Sequence, residues 1–135
     1  MRESSAYRVA SILRADPELS IWWGTPVECA GALARAARTG EIDERFQRAA
    51  RRSLSDLLGR SDEVPPTQEL RQLAVRLVGI HALRAADALQ LAAARDWCDE
   101  RTAGIGFVCL DDRLRTAAIR EGFDVLPSAE EVHEP

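Results

Sequence analysis

One apolar run decides most of the fold: Leu83-Arg84-Ala85-Ala86-Asp87-Ala88-Leu89-Gln90-Leu91-Ala92-Ala93-Ala94. Alanine and leucine are strong helix formers, so this run predicts a helix. Because nearly every side of the helix is apolar, we expect it to be buried. Asp87 lies in its middle, and a buried carboxylate is costly unless an arginine or a metal ion neutralises it. Arg84 shares a helix face with Asp87, and pairing between them would make the aspartate structural.

Two further acids have both a structural and a functional interpretation. Glu28 ends the motif Thr25-Pro26-Val27-Glu28, in which Thr25 suits an N-cap and Glu28 would complete a capping box. Asp111 follows the apolar, strand-like run 106–110. Either Asp111 or Asp112 could instead cap the helix that comes next. The local sequence leaves both interpretations open.

Apolar runs of strand length alternate with helical patterns, which predicts an α/β fold with a mainly parallel sheet. Strands are expected over Leu19–Trp23, Ile105–Leu110 and Phe123–Leu126, with a short edge strand at Val64. Helices are expected over Ser4–Ala15, Pro26–Arg38, Ile42–Leu58, Thr67–Gly79, Arg84–Glu100 and Arg113–Arg120. Ligands of such folds collect beyond the carboxyl ends of the strands, where Glu28 and Asp111 lie. With Asp87, these acids predict an all-oxygen pocket for Mg²⁺ or Mn²⁺.

These motifs resemble the PIN domain, and most closely the toxin ribonucleases of the VapBC toxin–antitoxin systems. The matching residues are Thr25-Pro26-Val27-Glu28, the run from Leu83, and Phe107-Val108-Cys109-Leu110-Asp111-Asp112-Arg113-Leu114. The resemblance covers the chain from about Ser4 to Leu126. It implies a three-layer domain with a mainly parallel central sheet flanked by helices. It also implies a metal-dependent endoribonuclease that hydrolyses RNA, and as partners a protein antitoxin and a second copy of the chain.

The resemblance further implies that Glu28, Asp87 and Asp111 are the catalytic metal ligands, directly or through water, with Asp112 in reserve. Arg84 would orient Asp87 or contact a phosphate.

The chain departs from the PIN pattern at its start. Members of the family open with a strand that ends in an aspartate, the first metal ligand, whereas residues 1–7 here are followed by a helical pattern. Cys109 also stands where the family usually has a hydroxyl residue. We therefore expect weak or absent cleavage, and the alternative is a non-catalytic PIN remnant that binds an antitoxin or dimerises. With the first strand missing, the strands at Leu19–Trp23 and Ile105–Leu110 are expected to pair directly, because buried edges need partners. The alternatives are a strand inserted by another chain and a polypeptide that starts earlier.

Composition is that of a single soluble domain. The 135 residues are 46% hydrophobic and 30% charged, which suits one compact core over residues 1–127 with a polar tail over 128–135. No apolar run is long enough to span a membrane and no signal peptide opens the chain. Three cysteines without a metal-binding spacing are expected to be reduced and buried, which favours the cytoplasm.

Other polar residues have weaker interpretations. The net charge of −4 argues against a dedicated nucleic-acid binder, although acids gathered around a cation would partly explain it. Arg45, Arg48 and Arg52 recur at helical spacing beside Arg51, and suit either an RNA groove or a face paired with Glu41 and Glu44. His81, at a predicted helix junction, is expected to be a hydrogen-bonded structural residue.

Overall fold

The structure is a computed structural model, and it describes residues 11–12, 15–16 and 18–128. These contain, in order, β1 (Ser20–Trp22), α1 (Thr25–Arg38), α2 (Glu44–Gly59), β2 (Asp62–Val64), α3 (Gln68–Ile80), α4 (Ala85–Trp97), β3 (Gly106–Val108), α5 (Asp112–Arg120) and β4 (Asp124–Leu126). Helices alternate with short parallel strands, which confirms the predicted α/β class. Most of the helix predicted over Ser4–Ala15, and most of the tail, lie outside the described residues.

The chain forms two compact units, of which the first covers Leu19–Pro65. In this unit β1 pairs in parallel with β2, in the register Ser20↔Asp62, Ile21↔Glu63 and Trp22↔Val64. The strand predicted at Val64 is therefore present. Helices α1 and α2 connect the two strands and pack against each other.

The start of α1 differs from the predicted capping box. Gly24, not Thr25, is the N-cap residue, and no side chain caps this end. Glu28 is in the first turn and donates its backbone N–H to the Gly24 carbonyl at 3.2 Å. A Cβ at position 24 would lie 2.5 Å from Nε1 of Trp22, so the indole ring excludes a capping side chain there.

The second unit contains the described residues on either side of the first. Helices α3 and α4 pack together and bury Leu70, Leu77 and Leu91 almost completely. The helix predicted over Thr67–Gly79 is present as α3, and Thr67 is its N-cap, with its hydroxyl accepting from Leu70 N at 3.1 Å. Strands β3 and β4 pair in parallel, and Phe107 contacts Phe123 with ring centroids 5.4 Å apart.

The prediction that α4 is buried on all sides is correct only for its middle. Ala88 and residues 91–93 are buried, whereas residues 84–86 are exposed and Asp87 is half-buried. The helix also ends three residues earlier than predicted. Asp99 and Glu100 have φ values of 50° and 65°, the left-handed region, which cannot continue an α-helix.

The direct pairing predicted between β1 and β3 is wrong. In the part of the chain that the structure describes, β1 pairs only with β2 and β3 only with β4, giving two sheets of two strands. Each strand thus finds its backbone partner in a strand of its own unit.

Glu121 links three segments of the second unit. Its carboxylate lies 2.8 Å from His81 Nε2 and 2.7 Å from Arg95 Nη1, while its backbone carbonyl accepts from the Thr102 hydroxyl. The structural role predicted for His81 is confirmed. Among the described residues, no helix combines the length and apolar character that crossing a membrane requires.

Candidate functional site

Asp111 is fixed at the start of α5 by helix capping. Its Oδ1 accepts a hydrogen bond from Leu114 N at 3.0 Å, and its backbone carbonyl accepts from Arg115 N at 2.9 Å. The structural interpretation offered by the sequence is therefore correct. It does not exclude a function, because the cap uses Oδ1 and the residue is exposed.

Arg115 holds the strand ends that precede the site. Its guanidinium is buried, with Nη1 donating to the Cys109 carbonyl at 2.8 Å and Nη2 donating to the Pro127 carbonyl at 2.6 Å. Cys109 follows β3 and Pro127 follows β4, so a single side chain joins the carboxyl ends of both strands. Asp111 comes two residues after the first of these contacts, and its position depends on them.

Asp87 and Asp111 lie close enough to interact electrostatically. The pKa of Asp87 is raised, chiefly by burial, then by the negative charge of Asp111, while Arg84 lowers it to a smaller extent. Asp87 is in the first turn of α4 and Asp111 precedes the first turn of α5. The structure thus brings together two of the three acids predicted to form the site.

Arg84 does not neutralise Asp87 by direct pairing. It is the exposed N-cap residue of α4, and no ion pair within 4 Å joins it to Asp87 among the residues described. The structural explanation for Asp87, a local ion pair, is therefore not realised.

Cys109 lies beside the two acids. Burial raises the pKa of its thiol to about 11, and the charges of Asp111 and Asp87 contribute to the increase. Its Sγ lies 3.6 Å from the Asp111 carbonyl. The thiol is therefore neutral near pH 7 and is a poor nucleophile there. Cys29, Cys98 and Cys109 are all free and partly exposed, rather than buried as predicted.

Glu28 belongs to the first unit. The pKa of its neighbour Cys29 is raised chiefly by burial and then by the negative charge of Glu28. The place of Glu28 beside Asp87 and Asp111 stays a prediction. Asp112 follows Asp111 in the first turn of α5, but Asp111 is the acid whose charge reaches Asp87. In the described part of the chain, no group of three or more histidine, cysteine, aspartate or glutamate side chains is arranged to hold a metal ion.

Two carboxylates that repel each other fit a hard divalent cation. Mg²⁺ keeps several of its waters and is commonly held by one or two carboxylates together with substrate phosphates. The Asp87–Asp111 pair meets that smaller requirement without a third protein ligand.

Comparisons with known proteins found no match: no protein-family model, curated protein or solved structure matches the chain.

Sequence reasoning missed Arg115. Its burial could have been predicted from its position on α5. It lies next to Leu114 and three residues before Ala118, on a helix face whose other members are apolar and buried. An arginine on such a face needs buried acceptors.

Replacing Asp87 tests the electrostatic cost of the pair. In metal-free protein with EDTA, we expect Asp87→Asn to increase the free energy of unfolding at pH 7. Because the folded-state pKa of Asp87 is raised, the folded protein holds an unfavourable charge at pH values above it. As the pH falls through that pKa to below the ordinary value of 3.8, both states become protonated and the advantage of the variant should disappear. Urea unfolding at a series of pH values measures this difference.

Asp112→Asn is the matched control, since it removes a neighbouring charge that does not reach Asp87. If both variants change stability equally at every pH, the increase comes from the net charge and not from the pair.

Replacing Arg115 tests the link between the strand ends. Arg115→Met keeps an unbranched apolar side chain but leaves the Cys109 and Pro127 carbonyls without their donors. Unsatisfied buried acceptors cost about 1–3 kcal/mol each, so we expect a loss of roughly 2–4 kcal/mol in unfolding free energy. Arg113→Met, on the exposed side of the same helix, should change it by less than about 0.5 kcal/mol. Equal effects in denaturant titrations would contradict the assignment.

Proposed function

We propose that this chain is a PIN-like, metal-dependent endoribonuclease of the toxin type, acting in the cytoplasm. The observation that carries the proposal is the proximity of Asp87 and Asp111, two acids singled out by separate motifs. The resemblance supplies the reaction, hydrolysis of an RNA phosphodiester bond, and the three-layer arrangement with a mainly parallel central sheet. Glu28 is the proposed third ligand.

In this proposal the protein holds two carboxylates at the starts of two helices. Asp111 is oriented by its bond to Leu114 N and by the strand ends that Arg115 joins, and Asp87 by the first turn of α4. These carboxylates bind Mg²⁺ or Mn²⁺. When bound, such a cation polarises the phosphate and lowers the pKa of the attacking water.

Arg84 is assigned to the substrate in the same proposal. It is exposed, adjacent to Asp87 in the fold, and not in an ion pair with it. A guanidinium is well suited to binding phosphate oxygens in a bidentate manner. Arg84 would position the RNA strand beside the acid pair.

A second candidate function is binding of a protein antitoxin or a second copy of the chain without catalysis. Val75 and Val78 share one face of α3 and are 69% and 45% exposed. Neighbouring exposed valines suit contact with another chain. The activity measurement below separates this candidate from the nuclease.

The first prediction of the proposal is that Mn²⁺ stabilises the protein. Binding to the folded state only, at ten times its dissociation constant, contributes about 1.4 kcal/mol, or an increase of roughly 5 °C in Tm. We expect Asp87→Asn and Asp111→Asn to remove most of this increase, as measured by thermal unfolding with and without Mn²⁺. Asparagine caps helices about as well as aspartate, so Asp111→Asn should still fold.

Asp112→Asn provides the control and should retain the Mn²⁺ response. Glu28→Gln tests the third ligand and should reduce the response. A full response in Asp87→Asn would show that the acid pair does not bind the cation.

The second prediction concerns cleavage. The Asp87–Asp111 pair offers few protein ligands to a cation, so we expect slow, Mn²⁺-dependent cleavage of single-stranded RNA that EDTA removes. Small errors in positioning a cation and its water cost large factors in rate. Gel analysis of end-labelled RNA, with Asp87→Asn as the inactive control, measures it. Absence of cleavage in a protein that shows the Mn²⁺ response would favour the interaction protein, and cleavage by Asp87→Asn would overturn the site.

A further inference from the structure

Four arginines form a continuous exposed face on α2. Arg45, Arg48 and Arg52 follow one another at spacings of three and four residues, and Arg51 is three residues after Arg48. Residues at these spacings are neighbours on a helix surface. All four side chains are exposed. We call this set the arginine face of α2.

Carboxylates neutralise little of this face. Glu44 pairs with Arg48 at 3.4 Å, an ion pair whose side chains are 60% and 84% exposed. Pairs this exposed are weak and exchange readily with other partners. In the described part of the chain, this is the one ion pair within 4 Å on the arginine face.

Glu41, which was expected to pair with this face, and Asp43, at the start of α2, have other partners. Glu41 accepts a hydrogen bond from the Thr39 hydroxyl at 3.2 Å. Asp43 is the N-cap of α2 and accepts from Phe46 N at 2.7 Å. Of the two arrangements that the sequence allowed, the ion-paired one is therefore realised only at Arg48.

The opposite side of α2 holds the arginine face towards solvent. Ala50, Leu54 and Leu57 are partly buried, and α2 packs against α1. Because these apolar residues occupy the side of the helix away from Arg45 and Arg52, packing of the pair keeps the guanidinium groups accessible.

The acidic net charge of the chain does not arise in this unit. Residues 19–65 contain seven arginines and seven acidic residues, so the surplus of −4 belongs to the rest of the sequence. The arginine face is a local positive region on a neutral unit. A polyanion that contacts this face interacts with its local electrostatic field.

We propose that the arginine face of α2 binds the sugar-phosphate backbone of single-stranded RNA. The choice of RNA as the ligand rests on the proposed function. The charge complementarity between the face and a polyanion is independent of that function. Arg45 and Arg52 are separated by about 10 Å along the helix, from a rise of about 1.5 Å per residue. Phosphates recur about every 3.4 Å along the axis of a stacked strand, so the face spans roughly three phosphates.

The test is binding of fluorescein-labelled single-stranded RNA, measured by anisotropy in EDTA so that no cleavage takes place. The variant is Arg45→Gln with Arg52→Gln, in which glutamine preserves helix propensity. We expect a roughly tenfold loss of affinity at moderate salt. We also expect the slope of log affinity against log salt to become shallower by about 1.4, because each phosphate contact on a single strand contributes about 0.7.

The matched control is Arg71→Gln with Arg76→Gln, which removes the same charge from exposed positions on α3. It should retain most of the affinity and the original slope. Thermal unfolding of both double variants verifies that each is folded.

Three results would overturn the proposal: no RNA binding by the unaltered chain, equal losses in the two double variants, or preferential binding of polyglutamate, which would indicate an acidic protein partner. Failure of the proposed function is recognised separately, by the absence of the Mn²⁺ response and of cleavage, because RNA binding measured in EDTA depends on neither. RNA binding lost only in the Arg45/Arg52 variant supports the arginine face even where no cleavage is found.

Discussion

The buried guanidinium of Arg115 is the contact on which the candidate site depends. It donates to carbonyls that follow β3 and β4, and each strand is only three residues long. Strands this short have few ladder hydrogen bonds with which to hold their ends. The side chain supplies one further bond where the chain leaves β3 towards α5 and a second just after β4. The turn that carries Asp111 is therefore stabilised by an interaction outside the turn itself.

The N-terminal ends of two helices partly stabilise the acid pair in the absence of a cation. Asp111 caps α5, and Asp87 lies in the first turn of α4. The N-terminal end of a helix carries a partial positive charge, which stabilises a nearby carboxylate by roughly 0.3–1 kcal/mol. This contribution offsets part of the repulsion between the acids but leaves the pKa of Asp87 raised. The fold thus supports two adjacent negative charges that a cation would stabilise further.

Features determined within a few residues could be predicted from the sequence. The caps at Thr67 and Asp111 depend on a side chain and an N–H three residues later, and both are present. The predicted capping box at Thr25 is absent because α1 begins one residue earlier than the motif indicates, with Gly24 as its N-cap and Thr25 already helical.

Features that depend on distant partners could not be predicted in the same way. Strand pairing was predicted incorrectly because β1 and β3 each had several possible partners, and hydrogen-bonding capacity does not distinguish among them. Arg115 was missed because its burial depends on two carbonyls brought together only by folding. Proximity of Asp87 and Asp111 was predicted from the acid at the end of a strand, the acid on an apolar helix and the resemblance that assigns both to one site, and the charge of Asp111 does reach Asp87. No local sequence feature determines whether Glu28 shares a site with Asp87 and Asp111.

All basic residues of this chain are arginine, and the surroundings of each give it a different role. Arg115 is buried because a guanidinium is weakly hydrated and its planar fork reaches two carbonyls at once, which a lysine ammonium does less well. Arg95 uses the same fork to join Glu121 and Glu100. On α2, where exposed carboxylates are few, the guanidinium groups keep their capacity for an external anion. Because one side-chain chemistry produces a structural brace, an internal ion pair and an exposed positive face, net charge is a poor guide to what this chain binds, and the local count of acceptors around each arginine is a better one.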